Sequence, residues 1–362
     1  MKKIFCLAFL IFSYSFSLLA NQEELAGEPL AAYKSGDIWH FVGYDGKELF
    51  SPLELTTVQA YSEGMFCVSR TIGDKEKWGF LDSTGQFAID PQYDMAFPYS
   101  EGLAVVYNYN NSEEFPVLYS IIDKNGKKIF HDTLISALKF NEGLAFVMKK
   151  DRSSGYINRK GEFVIQFKEV NGEVFSEGFA SVSNNSLNSG FINKKGEQVV
   201  DFLYESVGKF SQGLANVFKY QKYGYIDTTG EFKIEPKFDY ANPFYEDRAF
   251  VGYLYHEDFK TRWAIIDTSG NLITDYIFPQ KWDFSEGLAA VRDLKAWGFI
   301  DKSGTFAIEP KYFYTASSVN GLAWAGQNDS DIKGYINKKE EYIVILPKCD
   351  KIIDLRLNKR MY

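Results

Sequence analysis

The residues of this chain best placed to meet a ligand lie in two stretches that interrupt an otherwise regular spacing. One carries Tyr107, Tyr109, Glu113 and Glu114; the other carries Tyr253, Tyr255, His256, Glu257 and Asp258. Tyrosine rings offer flat apolar faces with a polar tip, suited to stacking on a sugar or seating in a protein partner. The adjoining carboxylates and imidazole add directional hydrogen bonds. That is recognition chemistry. Bond-breaking chemistry is harder to find. Of the three histidines, His40 and His131 occupy repeat positions, so a structural role accounts for them. No His-Glu-x-x-His, Gly-x-Ser-x-Gly, phosphate loop or cysteine pair with metal spacing occurs. A glycosidase needs only two converging carboxylates, so a glycan-active hydrolase using carboxylates outside the repeat pattern is the alternative reading. The favoured reading is non-catalytic, with neither metal nor cofactor.

A repeat positions both stretches. Ser285-Glu286-Gly287-Leu288-Ala289-Ala290-Val291 is followed by Trp297-Gly298-Phe299-Ile300-Asp301-Lys302-Ser303-Gly304 and Ile308-Glu309-Pro310, and the same order recurs at residues 211–236. Counting the Leu-Ala-x-Val element gives nine copies, starting at Leu30, Met65, Leu103, Leu144, Phe179, Leu214, Arg248, Leu288 and Leu322. Each unit spans about 35 residues. Within it an aspartate precedes a glycine by three, as in Asp82 and Gly85, Asp123 and Gly126, Asp227 and Gly230, Asp267 and Gly270, and Asp301 and Gly304. Aspartate bonding the backbone ahead and glycine in the left-handed region make a hairpin turn. The glycine of Ser-Glu-Gly serves a second turn. Pro310 and its equivalents are expected to end the strand they follow, since proline donates nothing to a continuing ladder.

These features predict an all-β chain of nine tandem antiparallel hairpin units. The second position of Leu-Ala-x-Val is Ala in eight copies, with Phe66 the exception, while the third varies from Asn216 to Trp324. Because strand side chains alternate, the Ala-Val face is expected to be tightly packed and the other face to tolerate polarity, so that Asn216→Leu would be nearly neutral. One unit buries too little apolar surface to offset its ordering, so neighbours must complete its core. Three strands per unit favour an open, curved array, with a closed propeller-like ring as the alternative. The insertions in copies three and seven occupy equivalent places and should emerge on one face of the array.

The Lys77-Trp78-Gly79-Phe80 and Ala296-Trp297-Gly298-Phe299 segments, the Asp-x-x-Gly turns and the Ser-Glu-Gly-Leu-Ala strands together resemble the WG-repeat (KWG-repeat) proteins of bacteria. The likeness covers nearly the whole chain after its first residues. It implies a β-repeat fold and supplies no catalytic residue.

Residues 1–20 read as a signal peptide, with Lys2 and Lys3 ahead of an apolar stretch and cleavage after Ala20. A short linker at 21–27, the array at 28–354 and a tail at 355–362 follow. The expected setting is therefore exported: periplasm, outer surface or secreted, with no membrane span after removal of the leader. Net charge is −8, which argues against nucleic acid. Beyond the leader only Cys67 and Cys349 remain, and Cys349 fills an aromatic slot of the repeat, so both read as small hydrophobes. Together these point to an envelope or secreted binding or scaffold protein that meets a protein or glycan through its repeat surface and long loops.

Overall fold

The computed structural model describes residues 25–361 except 26, 169, 185–187, 328–331 and 357–358; the predicted leader lies outside the described residues. Every element described is a strand. Unit 2 shows the plan. Its strands Thr57–Ser62, Met65–Ile72, Lys75–Asp82 and Phe87–Tyr93 lie side by side in chain order, each antiparallel to the next. The fuller units thus have four strands where three were expected. The Leu-Ala-x-Val strand is second and buried on both faces, while the fourth alternates buried and exposed residues along an outer edge. Each such four-stranded blade packs face to face on the next.

The ends of the array meet. Strand Pro29–Ser35 pairs with Lys351–Asp354 in the register Ala31↔Asp354 to Lys34↔Lys351. The Lys351–Asp354 strand therefore supplies the first strand of blade 1, in the position that Thr57–Ser62 holds in blade 2. Nine apolar clusters fill the nine contacts between neighbouring blades, and the cluster joining blades 9 and 1 repeats the composition of the others. There Ala31, Val42 and Ile352 of blade 1 face Trp324, Tyr335 and Val344 of blade 9. The array is closed. Of the two arrangements read from sequence, the ring replaces the open superhelix, because the last copy ends in a first-strand segment that the first copy lacks.

Closure also corrects the reading of the strand faces. The Ala-Val side of one blade meets the aromatic side of the blade before it: Ala215 and Val217 pack against Phe191 and Tyr204. The third position points at the following blade and is buried too, as Cys67, Phe146, Phe250 and Trp324 are. Asn216 sits in the same buried row, its amide donating to the Ala241 carbonyl at 3.0 Å, so Asn216→Leu is not neutral as expected. Phe66 is explained by its neighbour: the third position of blade 1 is Ala32, and the Phe66 ring fills that space edge-on to Phe41 and Phe50. Ala215→Leu, fully enclosed, is expected to cost about 1–3 kcal/mol by overpacking, read from the urea midpoint.

Proline does not end the fourth strand. Phe87–Tyr93 runs through Pro91 at a sheet edge, and Phe306–Thr315 runs through Pro310 ahead of its pairing with Ala323–Gln327, which begins at Tyr312; in both, the pairing with the third strand shifts register there. The same bulge explains Trp-Gly. A Cβ on Gly79, Gly190, Gly224 or Gly298 would lie 2.4–2.5 Å from a fourth-strand carbonyl oxygen. Blades 3 and 7 carry Ser120 and Ala264 at this position, and neither has a fourth strand.

Candidate functional site

The two turns of each hairpin unit share one face of the ring. The Asp-x-x-Gly turns close as expected, with Gly85, Gly126, Gly230, Gly270 and Gly304 at φ 78–86°. The aspartate accepts from backbone ahead, as Asp82 does from the Thr84 and Gln86 N–H groups. The Thr84 hydroxyl, with those N–H groups, holds the Asp82 carboxyl below its usual range. Hydroxyls of Thr229 and Ser303 do the same for Asp227 and Asp301.

At Ser-Glu-Gly the sequence reading was incomplete. The glutamate also has positive φ, as at Glu101 (56°) and Glu286 (56°), an uncommon conformation for a residue with a side chain. It is held there by the neighbouring blade. Glu63 accepts from the N–H of Gly102, Glu101 from Gly143, Glu142 from Gly178, Glu177 from Gly213, Glu246 from Gly287 and Glu286 from Gly321, all at 2.8–2.9 Å. Gln212 accepts from the Asp247 N–H at 2.8 Å to continue the series. Ser62, Ser100, Ser176, Ser211 and Ser285 each donate to a carbonyl of the next blade at 2.6–2.8 Å. The motif is thus a rivet between units.

The opposite face carries the connections between second and third strands, and both insertions rise there. Their tyrosines are on strand. Tyr107 and Tyr109 lie on Leu103–Tyr109, paired with Val117–Asp123, and Tyr253 and Tyr255 lie on Ala249–Tyr255, paired with Lys260–Ile266. Only the tips, with Glu113, Glu114, Glu257 and Asp258, are loop. Tyr107 and Tyr109 share a strand face with Val105, which faces blade 4; Tyr253 and Tyr255 share one with Val251, which faces blade 6. The two tyrosine pairs therefore look toward each other across blades 4 to 6.

That sector is aromatic and cationic. Tyr109 is 67% exposed and Tyr220, at the tip of blade 6, 76%; Tyr240, Tyr253 and Tyr255 are exposed as well. Lysine or arginine lies over two of these rings and over a buried neighbour: Lys219 over Tyr220 at 5.2 Å, Arg262 over Tyr255 at 5.8 Å and Lys150 over Phe115 at 5.3 Å. Tyr253 meets Tyr255 and Tyr276 edge-on or tilted, at 5.0 and 5.8 Å. The tip carboxylate of Asp258 pairs with Arg262 at 3.0 Å. Its pKa is lowered although desolvation, the largest influence, acts upward, because the Lys260 N–H and Arg262 stabilise the anion.

Next to this sector, between blades 7 and 8, lies a groove of about 500 Å³ walled by Lys260, Arg262, Gln280 and Arg292. The sequence reading did not find it, since Gln280 and Arg292 sit at ordinary repeat positions. His40 stacks on Tyr33 and bonds Glu48 at 2.6 Å on blade 1, away from the hairpins; His131 is exposed. Cys67 and Cys349 are both free thiols, and burial pushes the Cys67 thiol up. Among the described residues no cluster of histidine, cysteine or carboxylate has the geometry of a metal site, and no helix is long and apolar enough to cross a membrane.

The model of the WG-containing repeat matches residues 78–111, 155–187, 190–223, 223–252, 263–293 and 297–329, more than half of the chain. This chain belongs to that family. Each match begins on a third strand and ends at or past the second strand of the following blade, so the family frame straddles the blade contacts. No curated protein matches in sequence. Among solved structures, the WG-repeat ring resembles one titled a eukaryotic initiation factor, with a TM-score of 0.61 at 11% identity over 89% of this chain and 98% of that one. BamB from Moraxella catarrhalis gives 0.41 at 11% identity, over 74% and 92%. At such identity the first likeness concerns fold alone.

Proposed function

We propose that this WG-repeat ring is a non-catalytic binding protein that recognises a glycan across blades 3 to 7. The observation carrying this reading is the inward-facing placement of Tyr107, Tyr109, Tyr253 and Tyr255 on two raised hairpins, with exposed Tyr220 between them. Rings touch within each pair, but the two pairs are separated by lysines and arginines, without the contiguous apolar centre that a stable protein interface uses. Small ring groups with polar neighbours suit sugar faces. The carboxylates with shifted pKa are all lowered, whereas a general acid for glycoside hydrolysis needs a raised one.

Titrating the full chain with neutral and acidic oligosaccharides should show saturable binding without released reducing ends. Tyr253→Ala with Tyr255→Ala should weaken it at least tenfold, and Tyr109→Ala severalfold. Sugar release would replace this reading by the hydrolase. Binding that survives all three substitutions would move the site elsewhere. The reading places the protein outside the cytoplasm, supported by Lys2, Lys3 and the apolar stretch behind them; N-terminal sequencing of the mature protein should begin at Asn21.

A further inference from the structure

Among the described residues the three most exposed large apolar side chains are Leu294 (83%), Phe259 (79%) and Tyr220 (76%). One such residue alone on a surface needs no explanation. These three occupy the same place in the plan, the turn between second and third strands, in three consecutive blades. Two of the turns are strained to hold them there. Tyr220 and Gln221 make a two-residue turn at φ 54° and 62°, and Phe259 lies at 54°, where hairpins prefer glycine or asparagine. Blades 1 and 2 meet that demand with Gly36 and Gly73. Two carboxylates beside the apices are engaged by their own turns. Asp258 accepts from the Lys260 N–H and from Arg262, and Asp293 from the N–H groups of Lys295 and Ala296. Over residues 219–222, 256–262 and 292–295 six lysines and arginines stand against three carboxylates, in a chain of net charge −8.

We infer that this arc of hairpin tips, on blades 6 to 8, docks on a lipid bilayer bearing anionic headgroups. The inference goes beyond the glycan reading and stands without it. Single apolar side chains, each on its own blade, give no contiguous centre for a shaped protein partner, and a fluid lipid surface requires none. Tyrosine, phenylalanine and leucine flanked by lysine and arginine are the residues that settle between headgroups and acyl chains. There Phe259 and Leu294 leave water, and the Tyr220 hydroxyl stays among the headgroups. Lys219, Lys260 and Lys295 meet the anionic lipid. Only three of the chain's 48 aspartates and glutamates come with the tips, so contact through the tips alone keeps the acidic remainder of the ring off the surface.

Co-sedimentation of the mature chain, Asn21 onward, with sugar-free vesicles tests this. The vesicles are phosphatidylcholine alone, or phosphatidylcholine mixed with phosphatidylglycerol. The mixed vesicles should bind the protein severalfold more tightly than phosphatidylcholine alone. Phe259→Ser with Leu294→Ser, both at exposed positions outside the core, should weaken that binding at least tenfold and leave oligosaccharide affinity unchanged. Lys260→Gln with Lys295→Gln should weaken it severalfold, and Leu203→Ser on the outer rim should not alter it. Failure to bind mixed vesicles, or equal binding to the two kinds, overturns the inference and leaves the glycan reading standing. Binding that survives Phe259→Ser with Leu294→Ser overturns it too. Loss of oligosaccharide affinity in that double variant also overturns it, because the tips then belong to the sugar site.

Discussion

Replacing Arg356 by methionine is expected to cost about 3–5 kcal/mol, the range seen when one partner of a buried pair is removed. Arg356 grips Asp354 through two bonds, at 3.0 and 2.7 Å, and donates to the carbonyls of Val319 and Leu322 in blade 9 at 2.6 and 3.1 Å. Its guanidinium lies 4.8 Å from the Tyr335 ring. Asp354 is fully buried and the arginine side chain is 5% exposed. This residue ties blade 9 to blade 1 where the glutamate-to-glycine bond is missing, because blade 1 has no turn between its first and second strands, so its loss strands a buried carboxylate and opens two carbonyls together. Urea unfolding would measure the loss. The double variant Arg356→Met with Asp354→Leu should recover much of it, since the unpaired charge is then gone. A loss below about 1 kcal/mol, the value of a surface pair, would mean that the closing strand is held by its apolar contacts alone.

The second large effect is expected at Gly298. A Cβ there would lie 2.5 Å from the Ile308 carbonyl oxygen and 2.8 Å from the Pro310 nitrogen. Both are backbone atoms of a paired strand, which yields less readily than a side chain. Gly298→Ala should therefore cost about 3 kcal/mol, the upper end for overpacking. Gly287→Ala in the same blade is the control. It has φ 81° but open space around the new methyl, so only the backbone penalty of about 1–2 kcal/mol applies. Equal losses in the two variants would show that the fourth-strand carbonyl is not what demands glycine.

The repeat, its turns and its all-β character were legible because each rests on local chemistry: Asp301 and Gly304 specify their turn within four residues. The closed ring was not, because the deciding contact joins Ala31 to Asp354, and no local pattern reports such a pairing. Both faces of the Leu-Ala-x-Val strand are buried for the same reason, since the third position meets a blade that only the assembled ring supplies. Glu101 and its equivalents read as turn residues, and their reach to the next unit was invisible in a single repeat. The tyrosines of the candidate face could be found as breaks in the period.

The pairing of Pro29–Ser35 with Lys351–Asp354 also sets an order of events during synthesis. Blade 1 emerges first and finishes last. Until residues 351–356 leave the ribosome, strand Pro29–Ser35 has one open edge, and the Ala31 face has no Trp324 to cover it. Blades 2 to 8 have no such wait, because each finds its neighbour within the next few dozen residues. A chain cut a few residues short would keep nearly all its units and still present a raw strand edge, the kind that templates aggregation. Its fate would be decided by the cell's proteases and chaperones, and the few residues that close the ring act as the seal on all the units made before them.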